Sequence, residues 1–360
     1  MRAAGAMTDI SLEGVAAAMV ETDGEVIRGF GEAAFRPFSE DERRVLRAAR
    51  GRWGAHRAAA EIVETAQAEV LAGFPQAEII GLAGPVMAHE PGGRGSLQPG
   101  NGALLAEALG RPVVWDFAAT DMEMGGQGAP LAPFFHFACA RHIGARGPLA
   151  FVDLGGICTV SLVDPAAARP EEGGVLLAWE AGPGLALLAD LLAERRGAPV
   201  RPEGWMEAGG RIDTDILAAF LRDPHFFRLP PKSLRERRFS SLIAAVAALP
   251  GHDAMATLTA AVEAAVSLSM AHFPRPPLRA VVSGRGRHDE VLMGMLGDGS
   301  GFPLQPAEEA GLDGDMMAAR AVAHLAVRVV RGLPTTCPAT TGVAAPVGGG
   351  QVSRPSGRFA

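Results

Sequence analysis

Glu180 stands in the stretch AWEAGPGLALL, Ala178 to Leu188, directly before a Gly-Pro-Gly turn that opens into an apolar helical run. A carboxylate there has two uses: it can sit at a helix N-terminus, where the dipole favours negative charge, or it can take a proton as a general base. Asp153 poses a similar choice in DLGG at 153–156. Glycines after a strand let the N–H groups of Gly155 and Gly156 approach phosphate oxygens, and an Asp at the strand end can hold magnesium or its water shell. An ordinary hairpin turn has the same sequence. SGRG at 283–286, with Gly284 and Gly286 between strand and helix, is open to the same two readings.

TDISLEG at 8–14 gathers the hydroxyls of Thr8 and Ser11, the carboxylates of Asp9 and Glu13, Ile10 and Gly14 between the N-terminus and an apolar run. It could cradle a triphosphate, although Asp9 puts negative charge where phosphate would arrive; a polar turn is the alternative. GGQGAP at 125–130 surrounds Gln127 with glycines, which implies special backbone angles or close ligand approach, or else a structural loop. His136 and His142 lack the helical spacing of a metal pair and read as core or surface residues.

The elements that must carry these residues alternate. GVAAAMVETDG followed by VIRGF predicts a β-hairpin closed by Asp23-Gly24, and 40–73 has helical spacing throughout. Strands are expected at 77–81 and 112–117, with a helix between them ending at Gly110. A second cycle starts at Gly147: PLAFVDLGGICTVSLVDP is strand, Gly-Gly turn, strand, and VLLAWEAGPGLALLADLLAERRG is strand, turn and helix stopping at Gly197. Helices follow at 213–222 and 254–273, then a strand, the SGRG turn and a helix, and a last helix over 315–331. This is an α/β layer pattern.

With 360 residues and a prior of about 150 per domain, two domains are expected: an N-terminal α/β domain over 1–135 and a C-terminal one over 136–343, with 344–360 a disordered tail. Hydrophobic residues at 48% and charged ones at 20% fit well-filled cores. A net charge of −7 offers no basic stripe for nucleic acid. The three cysteines are far apart, without metal or redox spacing, which points to a reducing compartment. Neither a signal peptide nor a membrane span is read, so a cytoplasmic protein is expected.

Taken together, the segments resemble the anhydro-N-acetylmuramic acid kinases, a branch of the sugar kinase, Hsp70 and actin superfamily. The most specific stretches are PGGRGSLQPGNGALLAEALGRPVVWDF at 91–117, GGQGAPLAPFFH at 125–136, PHFFRLPPKS at 224–233 and RGLPTTCPATTG at 331–342, and the likeness runs to about residue 343. The resemblance implies an actin-like ATPase fold of two α/β domains with ATP and Mg2+ in an interdomain cleft, and, as is usual among relatives, a homodimer. It implies hydrolytic opening of a 1,6-anhydro sugar in peptidoglycan recycling, with phosphorylation of the released O6. It also implies that Glu180 occupies the position of the catalytic base. Thr8, Asp9, Ile10, Ser11, Glu13, Gly14, Asp153, Gly155, Gly156, Gly182, Gly184, Gly284 and Gly286 match nucleotide-binding motifs, Glu13 and Asp153 being the metal candidates. Asp116, Asp121 and Gln127 are carried over to the sugar.

Departures gather at those same motifs. The family's base is the Asp of DTGPGN, here EAGPGL; its MSGTSLDG is MTDISLEG; its HGQT is AGPV at 83–86. DFR followed by an Asp becomes DFAATD, NIGGIAN becomes DLGGICT, GGGARN becomes GRGRHD, and a Glu of the last helix becomes Ala318. The motif after PPKS is altered to SLRER, and Lys232 is given no catalytic role. A carboxylate about 4 Å from a phosphate charge repels it by roughly 4 kcal/mol at an effective dielectric of 20, so in an active enzyme Asp9 must be turned away from the nucleotide, or paired with Arg285 or another cation that neutralises it, whereas a binding module tolerates it uncompensated. Three accounts fit: an active or impaired anhydrosugar kinase, a kinase for another sugar with a pocket reshaped around Val86, Ala118 and Ala318, or a non-catalytic binding module. The persistence of Glu180, Asp153, Gln127 and the glycine turns puts the kinase first.

Overall fold

The computed structural model describes residues 1–197, 209–234 and 238–356. Along the chain the strands are β1 (Arg2–Met7), β2 (Gly14–Thr22), β3 (Ile27–Pro37), β4 (Ile79–Ala83), β5 (Ala88–Glu90), β6 (Gly95–Leu97) and β7 (Val113–Trp115). They continue with β8 (Leu149–Leu154), β9 (Ile157–Val163), β10 (Leu176–Pro183), β11 (Ala280–Ser283), β12 (Leu304–Pro306) and β13 (Gln351–Ser353). The described residues form a six-stranded sheet in the order β13-β7-β4-β1-β2-β3 and a five-stranded sheet in the order β10-β9-β8-β11-β12, with β5 and β6 as a separate hairpin. In the first sheet β1–β2 and β2–β3 are antiparallel while β1–β4 and β4–β7 are parallel. In the second, β8–β11 and β11–β12 are parallel. Only Gly155 and Gly156 separate β8 from β9, too few residues for a parallel crossover. The two sheets therefore repeat one strand order, β7-β4-β1-β2-β3 matching β12-β11-β8-β9-β10.

Local sequence accounts for the elements. The expected Asp23-Gly24 turn closes β2 and β3: Gly24 has φ 91, and the N–H groups of Glu25 and Val26 donate to Asp23 Oδ1 at 3.0 and 2.8 Å. The helical run of 40–73 is two helices, Glu40–Ala49 and Arg57–Ala72, because Gly51 and Gly54 between them take positive φ. Ser39 and Glu42 form a capping box at the first. The core of this layer includes Val15, Leu46, Val63, Leu71 and Ile80.

The unit boundaries differ from those expected. One unit comprises Met1–Arg146, Val163–Leu177 and Met316–Ala360, the other Gly147–Leu162 and Ala178–Asp315. The last helix, Met317–Val330, thus belongs to the unit built around β1 rather than to a continuous 136–343 domain. Small residues explain why. Gly5 of β1 and Gly81 of β4 are paired in register, and a Cβ on either would lie 2.1 Å from Ala319 O or 2.5 Å from Val322 O. Only a glycine floor lets that helix backbone come so close. The expected disordered tail is also corrected: β13 pairs antiparallel with β7, Trp115 Nε1 donates to Ser353 Oγ at 3.1 Å, and Ser356 N–H donates to Glu107 at 2.7 Å. A three-residue edge strand has no apolar period to read, whereas the open edge of β7 supplies unpaired backbone groups. The final residues of that tail, 357–360, lie outside the described residues. Among the described residues no helix is long and apolar enough to cross a membrane.

Candidate active site

Glu180 lies inside β10, not in a helix cap; the N-cap of the following helix, Leu185–Arg196, is Gly184. Its residue is 7% exposed, and one carboxylate oxygen, Oε2, accepts a short hydrogen bond from Leu234 N–H. Burial pushes the carboxyl up to about 7 from an ordinary 4.5, with the Leu234 bond opposing. A carboxylate poised near neutrality and held by one oxygen is suited to accepting a proton. Its main-chain N–H donates to Lys232 O at 3.0 Å, and its C=O accepts from His225 Nε2 at 2.9 Å. Lys232 Nζ in turn donates to His225 O at 2.9 Å. Burial lowers the Lys232 ammonium to about 8 and the His225 imidazole to about 4. Both residues lie in the PHFFRLPPKS stretch, which identity marked as specific without assigning them a role. The altered SLRER run continues into 235–237, outside the described residues.

Three glycine turns meet beside Asp153. Ser283 Oγ donates to Asp153 Oδ1 at 3.1 Å, and Gly184 N–H donates to Gly156 O at 2.9 Å. A Cβ on Gly284, which has φ 76, would fall 2.6 Å from both Asp153 Oδ1 and Gly155 N; one on Gly184 would fall 1.7 Å from Gly155 O. Gly286 packs as closely on Leu154. Asp153, Gly155, Gly156, Gly184, Gly284 and Gly286 are thus brought together at the ends of β8, β10 and β11, where bare backbone can face an anion. Gly182 is different: its missing Cβ makes room for Ala265 of the helix Gly251–Met270, 2.6 Å away, which is a packing requirement.

The loop between β1 and β2 carries the other candidates. Asp9 is folded back on its own loop, its Oδ1 accepting from Ser11 N–H at 3.0 Å and, closer still, from the Ser11 hydroxyl. Arg50 Nη2 donates to Ile10 O at 3.2 Å, a cation that a charged helix face did not single out from sequence. Thr8 Oγ1 is buried and has no hydrogen-bond partner. An orphaned hydroxyl in a polar loop fits an anionic ligand. Glu13 is half-buried, its C=O bonded to Phe38 N–H at 2.9 Å. Gly14 is a strand residue whose Cβ would meet Arg36 O at 2.4 Å, so cross-strand packing requires it. Among the described residues no cluster of three or more His, Cys, Asp or Glu side chains that could hold a metal ion exists.

The sugar candidates separate. Asp116 sits at φ 55 after β7 and lines a cavity of about 130 Å³ with Gly84, Gln98, Asn101 and Trp115. Burial raises its carboxyl, opposed by the Gln351 Nε2 bond at 3.0 Å. Val86, Ala118 and Ala318 do not line this cavity. Asp121 is fully buried, with Oδ1 taken by the Thr341 hydroxyl at 2.6 Å and Oδ2 by Gly128 N–H at 2.7 Å. Gln127 N–H donates to Thr341 O at 2.8 Å. Asp121 therefore fastens GGQGAP to TTG within the fold, each of its oxygens accepting one internal hydrogen bond.

A sheet order repeated in two units, with glycine turns and a buried carboxylate at the strand ends, is the two-unit α/β architecture that the resemblance to the sugar kinase, Hsp70 and actin superfamily implies. A model of the anhydro-N-acetylmuramic acid kinase family matches residues 1–354. An anhydro-N-acetylmuramic acid kinase of a Ruegeria species is 52% identical over 99% of this chain and 96% of its own, and one from Cereibacter sphaeroides is 54% identical over 98% and 96%. The chain belongs to the anhydro-N-acetylmuramic acid kinase family and is thereby a sugar kinase. Among solved structures, a ROK family glucokinase from Streptomyces griseus aligns over 91% of this chain and 99% of its own at 16% identity, with a TM-score of 0.40.

Proposed function

We propose that the chain is an ATP-dependent anhydrosugar kinase acting on anhydro-N-acetylmuramic acid. Glu180 takes a proton from water as that water attacks the anomeric carbon; the bond from that carbon to O6 breaks, and O6 attacks the γ-phosphorus, releasing ADP. Such base catalysis contributes on the order of 10²–10⁴-fold. The observation that carries this reading is the buried Glu180 carboxylate, oriented by Leu234 N–H and raised to about 7. Asp153, near the end of β8, would hold magnesium, with waters and phosphate oxygens completing the shell, and the ion would neutralise charge on the transferring phosphoryl group; Glu13, in the β1–β2 loop of the other unit, is a second candidate taken by itself. The glycine turns around Asp153 would face ATP phosphates, and the Thr8 loop, in the other unit, is by itself a candidate for anion binding; Asp116 and Gln127 would bind sugar. Asp9 folded back onto Ser11 of its own loop supports the kinase reading over a binding module through orientation rather than through neutralisation of its charge. Family likeness further supports a cytoplasmic homodimer, testable by sedimentation and fractionation.

The test is isothermal titration with magnesium-ATP, followed by mass-spectrometric detection of the 6-phosphate from anhydro-N-acetylmuramic acid, with Glu180→Gln as control. Micromolar ATP binding is expected, with product formed by the parent protein about 10²–10⁴-fold faster than by the control. No binding at millimolar ATP would overturn phosphoryl transfer, and binding without turnover of this sugar would redirect the search to another.

A further inference from the structure

Residue 180 is clamped at three points by one segment. Its N–H reaches Lys232 O at 3.0 Å, its C=O accepts from His225 Nε2 at 2.9 Å, and its carboxylate accepts from Leu234 N–H. A fourth bond, Lys232 Nζ to His225 O at 2.9 Å, closes the segment on itself. His225 and Lys232 are each 1% exposed. Because a carbonyl oxygen can only accept, His225 is the Nε2–H tautomer, which leaves Nδ1 buried without a partner. Lys232 is the chain's only lysine. Apolar side chains would fill such a volume without the desolvation penalty that a buried imidazole and ammonium carry. The polar pair instead fixes where the 225–234 segment crosses residue 180, and hence where Leu234 N–H meets the carboxylate.

We propose that His225 and Lys232 are positioning residues for Glu180: they hold the 225–234 segment so that Leu234 N–H fixes Oε2 and leaves the carboxylate aimed for proton transfer. This rests on reading Glu180 as the general base. Other charged or titratable groups around the cluster are Asp223, Arg228, Arg238 and His272, of which Asp223 and Arg238 are paired with each other and His272 Nε2 bonds Phe226 O at 3.3 Å.

The experiment compares Glu180→Gln, His225→Gln, His225→Asn and Lys232→Met by kcat, by KM for sugar and ATP, and by the pH profile. Gln can place an amide N–H near the position of Nε2; Asn is too short to reach the Glu180 carbonyl. A misplacement of about 1 Å costs on the order of 100-fold, so His225→Asn and Lys232→Met should lose about 10- to 100-fold in kcat with both KM values within about threefold. Their acidic limb should move below pH 7 as water reaches the carboxylate, whereas His225→Gln keeps kcat within about fivefold and the limb in place. A merely structural role would lower thermal stability without moving the limb. Equal kcat and equal limbs for His225→Gln and His225→Asn overturn the proposal even if Lys232→Met does not fold. Wild-type kcat in Glu180→Gln removes the general base itself, and with it this inference; an inactive Glu180→Gln beside an indistinguishable His225 pair removes the inference alone.

Discussion

Replacing Glu180 by Gln should lower turnover by about 10²–10⁴-fold and stabilise the protein above neutral pH. Burial raises this carboxyl from 4.5 to about 7. At about 1.4 kcal/mol for each tenfold change in the ionisation equilibrium, keeping it ionised in the folded state costs about 3 kcal/mol. The sign follows from proton binding. A folded-state pKa above the unfolded one gives a contribution that is complete below about pH 4.5 and lost as pH rises to about 7, because the folded protein holds the proton that the unfolded chain releases. The amide of Gln escapes this loss and can still accept from Leu234 N–H. At pH 8 Glu180→Gln should therefore melt higher by about 6 °C, taking the lower end of the scaling for a unit of this size. At pH 5 the ionisation part of the gap should shrink below about 1 kcal/mol. Differential scanning fluorimetry from pH 5 to 8 measures it, alongside a coupled ADP assay. A pH-independent gap, or none at pH 8, would refute the burial account of Glu180, whatever the activity.

Asp121→Ala should destabilise the protein by about 3 kcal/mol, because Thr341 Oγ1 and Gly128 N–H lose a buried anionic acceptor; Asp116→Asn should leave the melting temperature nearly unchanged and raise the sugar KM. Gly284→Ala should weaken magnesium-ATP binding at least about tenfold by calorimetry, since the new Cβ meets Asp153 Oδ1 at 2.6 Å on a backbone with φ 76. Acid should destabilise the fold through His136 and His324, whose burial lowers each imidazole to about 3 from 6.5. That stability is present above pH 6.5 and lost as pH falls toward 3, so His136→Phe should flatten the fall of melting temperature between pH 6 and 4.

Strands, turns and most helix ends were legible because they depend on local chemistry: Asp23-Gly24, Gly110 and Gly197 each stop an element through a conformation or side-chain bond that the residue type announces. Convergence was not legible. Nothing in SGRG and GPG says that Gly284 and Gly184 both press on Gly155, since that follows from the repeated sheet order. Asp116 and Asp121 look alike in DFAATD, yet one lines a cavity and the other is spent on Thr341, a residue 220 positions away. The placement of the last helix was hidden for the same reason: Gly5 and Gly81 form a docking floor only once β1 and β4 are paired.

The departures at Glu180 and Asp9 differ in kind, and the surrounding structure meets each in its own loop or segment. A longer carboxylate displaces its oxygens by about one bond, which a misaligned base could not tolerate at a 1 Å scale. Here a backbone N–H from Leu234 receives the extended side chain, so its orientation is set by the 225–234 segment rather than by side-chain length alone. Asp9 adds a charge instead of moving one, and two donors from Ser11 meet it. The Ser11 hydroxyl is then engaged by Asp9 and less available to a phosphate oxygen. Asp9→Gly should release it and lower the KM for magnesium-ATP while leaving the pH limb of Glu180 untouched. A KM that rises instead would mean that Asp9 organises the loop for nucleotide and that its charge is no obstacle.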